Sequence, residues 1–515
     1  MPASATAPEQ APARARHDER RQVESISLSG QNLAMHRGEA LRMRTTLQIV
    51  LFAVVAGAAA RAAAPPPPPP PRASCDAIAD FGAAGDNRTE DTAAVAAALA
   101  ACSTVLLRAG STFLLRPVEV PSHRHLVIDG TIAAWRDVWT WPNSTNKVCP
   151  VTPYEATPQQ LAPQLESLLW GEGVTNVTIS GVGTVDGQGG VRWWRLRTNM
   201  THGDYWHNCR PKLLDFGRGD RRGYGTVTDL TVTGVTLKDS PFWTLTARGL
   251  RRGTFRDVKV TTTGCGYAEA PNTDGFNLQG EDIVIEHCTV RNGDDCVPLF
   301  PPTRNVTVRN VSCECGNPPV AVIWPYLSKA GGGGDITDVT FDRVRLNRTS
   351  SAVAIKALPS FVGRAVNVSF TNYELHEVGI GLAINFFGQG TGNGGGGNGG
   401  GGNGGGSGDG GGGNGGGNGG GRGGSGGRGS GGAPLGAASA VGILVENVTG
   451  TVVGGGPRNS TAAAGHINCQ ADQPCSGLRL VNVVLTTAVG EPAAPFECES
   501  AAGSSEGCSP VPCGW

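Results

Sequence analysis

A short strand phrase recurs along this chain, and its spacing leaves few folds open. It reads Val174-Thr-Asn-Val-Thr-Ile179, then Val227-Thr-Asp-Leu-Thr-Val232, Glu281-Asp-Ile-Val-Ile285, Arg304-Asn-Val-Thr-Val308, Ile336-Thr-Asp-Val-Thr-Phe341, Ala365-Val-Asn-Val-Ser-Phe370 and Gly477-Leu-Arg-Leu480. Matched positions return every roughly 23 to 33 residues where nothing is inserted, a period that suits stacked repeats. Apolar and polar side chains alternate, β-branched residues dominate, and a short kink closes each phrase, so each is expected to be a strand. No amphipathic helix of crossover length follows a phrase. The period is too irregular for propeller blades, and hairpin dipeptides are too scarce for a sandwich. The fold class this predicts is all-β: a right-handed parallel β-helix, a solenoid in which each coil is stabilised by its neighbours.

An open solenoid end exposes core and unpaired strand edges, so it needs a lid. The stretch Glu90 to Cys102, rich in alanine with acidic residues at its start, is predicted as an N-terminal capping helix. The cysteine-rich tail is expected to finish the other end. A single β-helix domain is expected over 75–515. A proline-rich spacer at 65–74 precedes it, stiff and extended. Between strand phrases at Gly381-Leu-Ala-Ile-Asn385 and Val441-Gly-Ile-Leu-Val445, residues at about 388–432 are nearly all Gly and Asn. Such a tract cannot bury enough apolar surface to fold, and is read as a disordered loop insertion without chemistry.

The amino terminus speaks for export. Arg42 and Arg44 precede the apolar run Leu47 to Ala56 and the small-residue stretch Ala58 to Ala64, the layout of a signal peptide. Residues 1–64 are therefore an extension plus signal. The alternative is a membrane anchor at 47–60; the long polar stretch before the run would be explained by initiation at Met35 or Met43. Fourteen cysteines lack the paired spacing of zinc sites, and the last five cluster as disulfide staples would, with connectivity open. Sequons at Asn143, Asn176, Asn305 and Asn447 suit a glycosylated surface. The expected location is secreted, extracellular or in a cell wall. A formal net charge of -1 gives no basic excess for nucleic acid; no stable membrane partner is expected, and a monomer is.

Chemistry is carried by Asp274, in Asn272-Thr273-Asp274-Gly275, and by the pair Asp294-Asp295 in Gly293-Asp294-Asp295-Cys296. Residues one coil apart stack within about 5 Å along a solenoid. Three crowded carboxylates are equipment for splitting a glycosidic bond. The alternatives are turn aspartates, or calcium ligands on a lyase-type β-helix.

From Asp80 to Asn385 the chain resembles the polygalacturonases of glycoside hydrolase family 28, pectin-degrading right-handed β-helix enzymes. The resemblance runs through Asp80-Phe-Gly-Ala-Ala-Gly-Asp86, Gly183-Thr-Val-Asp-Gly-Gln-Gly189 with Trp193-Trp194, Ser240-Pro-Phe-Trp-Thr-Leu245, Asn272-Thr273-Asp274 and Gly293-Asp294-Asp295-Cys296. It implies an inverting hydrolysis of α-1,4-galacturonan, in which Asp294 is the general acid and Asp274 and Asp295 orient and deprotonate water. No cofactor or metal is implied. Lys356, in Ala354-Ile355-Lys356, falls where the family has an Arg-Ile-Lys triplet and is the candidate for a sugar carboxylate. Asn272 is the candidate for a sugar hydrogen bond, or for fixing its own turn.

The chain also departs from this family. After Cys313-Glu-Cys315-Gly316, where a Gly-His-Gly is expected, it reads Asn317-Pro318-Pro319-Val320 with no histidine. Ala354 stands in for the triplet's arginine, and Phe386-Phe387 lie near an expected substrate-contacting tyrosine. Three readings follow: a galacturonan hydrolase, a hydrolase of another cell-wall polysaccharide, or a weakly active or inactive carbohydrate-binding wall protein.

Overall fold

Each phrase folds as two strand segments meeting at a corner, and the corner lies inside the phrase. Its polar residue at Asn176, Asp229, Asp282, Asn305, Asp338 and Asn367 takes a positive φ of 54° to 59°. Asn and Asp enter this left-handed region more cheaply than other non-glycine residues, which is why they recur there. The kink expected at the end of the phrase is present as well, two residues past its last position, at His287, Asn310, Arg343 and Asn372 with φ of 52° to 59°. Successive corners are stitched together: Asn305 Nδ2 donates to Asp282 Oδ1 at 2.7 Å, and Asn367 Nδ2 to Asp338 Oδ1 at 2.6 Å.

The computed structural model describes residues 71–150, 161–196, 209–217, 219–220, 223–224, 226–323, 334–357, 362–386, 438–454 and 463–515. Among them, one continuous sheet of 29 strands pairs coil upon coil in parallel, and the chain is a right-handed parallel β-helix. Val306, Val339, Val368 and Ile443 stack in register and are all buried. Antiparallel ribbons join Asn143–Pro150 to Leu161–Leu165 and Gly219–Asp220 to Gly223–Tyr224. The expectations for residues 1–64, the glycine-rich tract at about 388–432 and most of the proline spacer concern residues outside those described. Strand pairing already begins at Arg72, which lies opposite Cys102, so the last residues of the predicted spacer belong to the first coil.

The capping helix spans Thr92–Ala101 and buries Val95, Ala98 and Leu99 over the solenoid end. Asp91 does not cap it with its side chain. Its carboxylate accepts instead from the backbone N–H of Ala84 and Gly85, tying the preceding loop to the helix start. Six disulfides join described cysteines, among them Cys75–Cys102 at the cap and Cys469–Cys475 and Cys498–Cys513 in the tail. Cys508, one of the five clustered at the end, is not in a disulfide.

Inside the coils, Phe341 and Phe370 stack at 5.0 Å with 12° between their planes, and Tyr373 meets Phe370 edge-on at 6.3 Å. Truncating Phe370 to Ala empties a fully enclosed space that parallel strands on both sides cannot collapse to fill. Urea unfolding should register a loss of about 3–5 kcal/mol. A loss below about 1 kcal/mol would mean that the coils slide to close the gap.

Candidate active site

One wall of the solenoid is built by strands β1 (Leu214–Phe216), β2 (Leu245–Arg256), β3 (Phe276–Glu286), β4 (Pro298–Leu299), β5 (Val320–Ile323), β6 (Ser351–Ala357) and β7 (Ile380–Phe386). Period-two alternation sends Phe216, Ala247, Leu278, Leu299, Ala321, Ile355 and Ile384 inward as one buried, registered ladder. Their neighbours face out. The three aspartates lie on the turns leading into β3 and β4. Gly275 N–H donates to the Asp295 carbonyl at 2.9 Å, locking the two turns one above the other, and Asp295 bridges in parallel to Asn317 on the next coil. Thr273 Oγ1 donates to the Ala270 carbonyl and accepts from Gly293 N–H, and the Asn292 amide donates to the carbonyls of both Thr273 and Asp295. Gly316 passes so close that a Cβ there would lie 2.2 Å from the Asp294 carbonyl oxygen.

The structure brings all the predicted residues together. Asp294 Oδ1 accepts from the Asp295 N–H at 2.9 Å and from Asn317 Nδ2 at 3.2 Å, and its Oδ2 accepts from Asn272 Nδ2 at 3.3 Å. Lys356 Nζ donates to both oxygens of Asp295, at 3.0 and 2.7 Å, and Asn317 Nδ2 also reaches Asp295 Oδ1 at 2.9 Å. Asp274 Oδ2 accepts from Asn277 Nδ2 at 2.9 Å. Asp274 and Asp295 are each 5% exposed, while Asp294 is half-buried beside them.

Burial, and then the negative charge of Asp295, push the Asp294 carboxyl from its ordinary 3.8 up to about 7, against the pull of Lys356 and of the donors from Asp295 and Asn317. Burial drives Asp274 well above its ordinary value, with Asp294 and Asp295 adding to it and Lys356 and Asn277 opposing. For Lys356 desolvation works downward, but the carboxylates of Asp295, Asp294 and Asp274 outweigh it and raise the ammonium's pKa. A proton is thus retained within the cluster near neutrality, while a cation sits against the member flanking it.

Four partners escaped the sequence reading. Asn317 occupies the place where the missing histidine was noted, and serves two aspartates with one amide. Asn277 follows Asp274 by three residues, and that fixed offset in a turn was the available signal. Arg210, fully buried, donates to the carbonyls of Pro241 and Pro271 and to Asn272 Oδ1 at 2.9 Å. Arg248 donates to Asn277 Oδ1. Both arginines lie far in sequence from the asparagines they meet, 62 and 29 residues away, so nothing local betrays those contacts.

The wall differs from the expected one in two respects. Phe386 is not a groove residue: it pairs opposite Ala357 and is buried in the core, and Phe387 lies outside the described residues. Ala354 belongs to a small apolar cluster on the outer wall with Phe300 and Val320, flanked by Ala383. Trp193 and Trp194 are core residues. Trp243 is a wall residue between cations, with Lys212 Nζ 5.2 Å and the Arg248 guanidinium 5.9 Å from its ring.

Comparison with known proteins follows the same lines. Residues 152–389 match the model of glycosyl hydrolases family 28. A probable polygalacturonase of Arabidopsis thaliana is 26% identical over 58% of this chain and 62% of its own length. The chain spans somewhat under two thirds of the length of that relative. Among solved structures, a hyperthermoactive exopolygalacturonase of Thermotoga maritima superposes with a TM-score of 0.55 at 16% identity, covering 84% of this chain and 92% of the other. An endo-xylogalacturonan hydrolase of Aspergillus tubingensis does so with 0.57 at 17%, covering 84% and 99%. At these identities the two structures speak for the fold alone.

Proposed function

We propose, from the match of residues 152–389 to the model of glycosyl hydrolases family 28, that the chain hydrolyses α-1,4-galacturonan or a related pectic polysaccharide with inversion at the sugar carbon. The observation that carries this reading is the carboxylate cluster, in which Asp294 keeps a proton up to about pH 7 beside two further aspartates. Asp294 protonates the departing glycosidic oxygen. Asp274 and Asp295 hold a water on the opposite face of the sugar and take its proton as it attacks. The scissile C–O bond breaks as the water oxygen bonds to the anomeric carbon, and the acid and base are restored by proton exchange with solvent.

Lys356 gives two hydrogen bonds to Asp295 and has a third N–H to offer a sugar carboxylate. We assign it that role, and Asn272 a contact with a sugar hydroxyl through its second amide hydrogen. Family relatives named polygalacturonases support the substrate class. The apolar cluster of Phe300, Val320 and Ala354 favours a second, narrower reading: a wall polysaccharide with uncharged units at that end of the groove.

The test is release of reducing ends from polygalacturonate and from a panel of esterified and branched pectic polymers, with the anomer formed followed by NMR. The β-anomer is expected first, and kcat/KM should fall about tenfold per pH unit above about 7, as Asp294 loses its proton. An unsaturated, ultraviolet-absorbing product would point to a lyase, and release from none of the polymers would leave a carbohydrate binder. Extracellular placement is proposed with this activity: six disulfides among described residues suit an oxidising compartment.

A further inference from the structure

Asp274 is asked to act as a base from a buried place beside two other carboxylates, a setting that favours its neutral form. Its side-chain donor is the amide of Asn277, itself fully buried. A carboxamide has nearly the same shape after a 180° flip, so shape alone does not decide which end faces Asp274. The flipped amide would set its oxygen against the carboxylate. What fixes the correct end is Arg248, 95% buried on the preceding coil, which donates to Asn277 Oδ1. Its guanidinium is held over the Phe300 ring at 4.1 Å, with Trp243 on another side.

We infer that Arg248 is a positioning residue for hydrolysis: by holding the Asn277 carboxamide in one orientation it keeps a donor on Asp274 Oδ2 and leaves the other carboxylate oxygen to the attacking water. The inference rests on the hydrolase reading for its kinetic arm, but not for its spectroscopic one. The charged groups around Asp274 are Asp294 and Asp295 on the next coil, Lys356 further along, Arg248 on the preceding coil, and Arg210 with the Lys212 and Asp215 pair one coil before that. Within this set, Arg248 acts on Asp274 through Asn277.

The experiment compares Arg248→Met, Arg248→Lys and Asn277→Leu in the full chain. With Arg248→Met, the acid limb of kcat/KM on polygalacturonate should move up by about one pH unit and kcat should fall about tenfold, with KM within twofold, because a hydrogen bond to a charged group is lost. Arg248→Lys, which can still donate to Oδ1, should restore most of the loss. Asn277→Leu should give the same shift, and the double variant no more than either single one. In parallel, ¹³C-aspartate NMR titration, with the Asp274 signal assigned by Asp274→Asn, should show that carboxyl titrating about one unit higher in Arg248→Met whether or not any pectic polymer is cleaved. A tenfold rise in KM with an unmoved acid limb would make Arg248 a direct substrate contact and overturn the inference. So would an unshifted Asp274 titration in the NMR experiment, even if no polymer proved to be a substrate. Should Arg248→Met fail to fold, the Asn277→Leu titration decides alone.

Discussion

Asp294→Asn is expected to abolish hydrolysis, with kcat on galacturonan down by about 10³-fold or more and KM little changed. An amide offers no proton to the departing oxygen, and positioned acid catalysis contributes about 10² to 10⁴ in rate. Loss of activity through misfolding is separable here, because the sign of the electrostatics is opposite. Asp294 has an ordinary pKa of 3.8 and is pushed up to about 7 in the folded chain. A carboxyl with a raised folded pKa destabilises the folded state as pH climbs from the lower value to the higher, since the unfolded chain releases its proton first. Replacing it with a neutral amide removes that penalty. The variant should therefore melt at or above the wild-type temperature at pH 7, with the advantage shrinking toward pH 4. Retained turnover would move the acid's role elsewhere, and a lower melting point at pH 7 would deny the crowding on which the site depends.

Lys356→Met should be the next most damaging change, and for two separable reasons. It strips the ammonium from both oxygens of Asp295, whose side chain is 8% exposed, while the lysine's own is 42% exposed. The stability cost lies between the roughly 1 kcal/mol of an exposed pair and the roughly 3–5 kcal/mol of breaking a buried one, so about 2 kcal/mol is expected. The second effect is on titration. Lys356 pulls the pKa of both Asp274 and Asp294 down, so its loss lets both rise further. The working window then moves to higher pH: activity at pH 5 should drop by about 10²-fold, and the loss at pH 7 should be several-fold smaller. If Lys356 served substrate binding alone, KM for charged substrates would rise equally at both pH values and the profile would keep its midpoint.

Much of this architecture was legible because a solenoid writes its period into the chain. Alternating strand phrases and an alanine-rich helix ahead of them suffice for coils and a cap, since both depend on local pattern. The closing kink of each phrase was legible, but the second corner inside it was not, for a physical reason: a polar residue in the left-handed region and a polar residue facing solvent from a strand look alike in sequence, and Asp338 or Asn367 fits either. Asp274, Asp294 and Asp295 were found because they sit on turns of adjacent coils, where sequence distance and spatial distance run together. Their supporting cast was hidden by the same geometry in reverse. Arg248 meets Asn277 from 29 residues away, and Arg210 meets Asn272 from 62. Nothing in either neighbourhood marks these arginines as buried. Ala354 showed a missing cation, yet only the packing revealed that its surroundings are apolar as well.

The registered pairing across residues 387–437 has a longer reach. Val366 still lies opposite Val441 and Leu382 opposite Gly465, so the coils resume in step whatever the chain does between Phe386 and Ala438. Closing a longer excursion costs little, about 0.6 kcal/mol for each doubling in length. Evolution can therefore lengthen, shorten or rewrite one rim of such a molecule almost neutrally. Lys356 pairs directly opposite Asn385, one coil from where that excursion begins, so variation in this rim lies next to the candidate site rather than far from it.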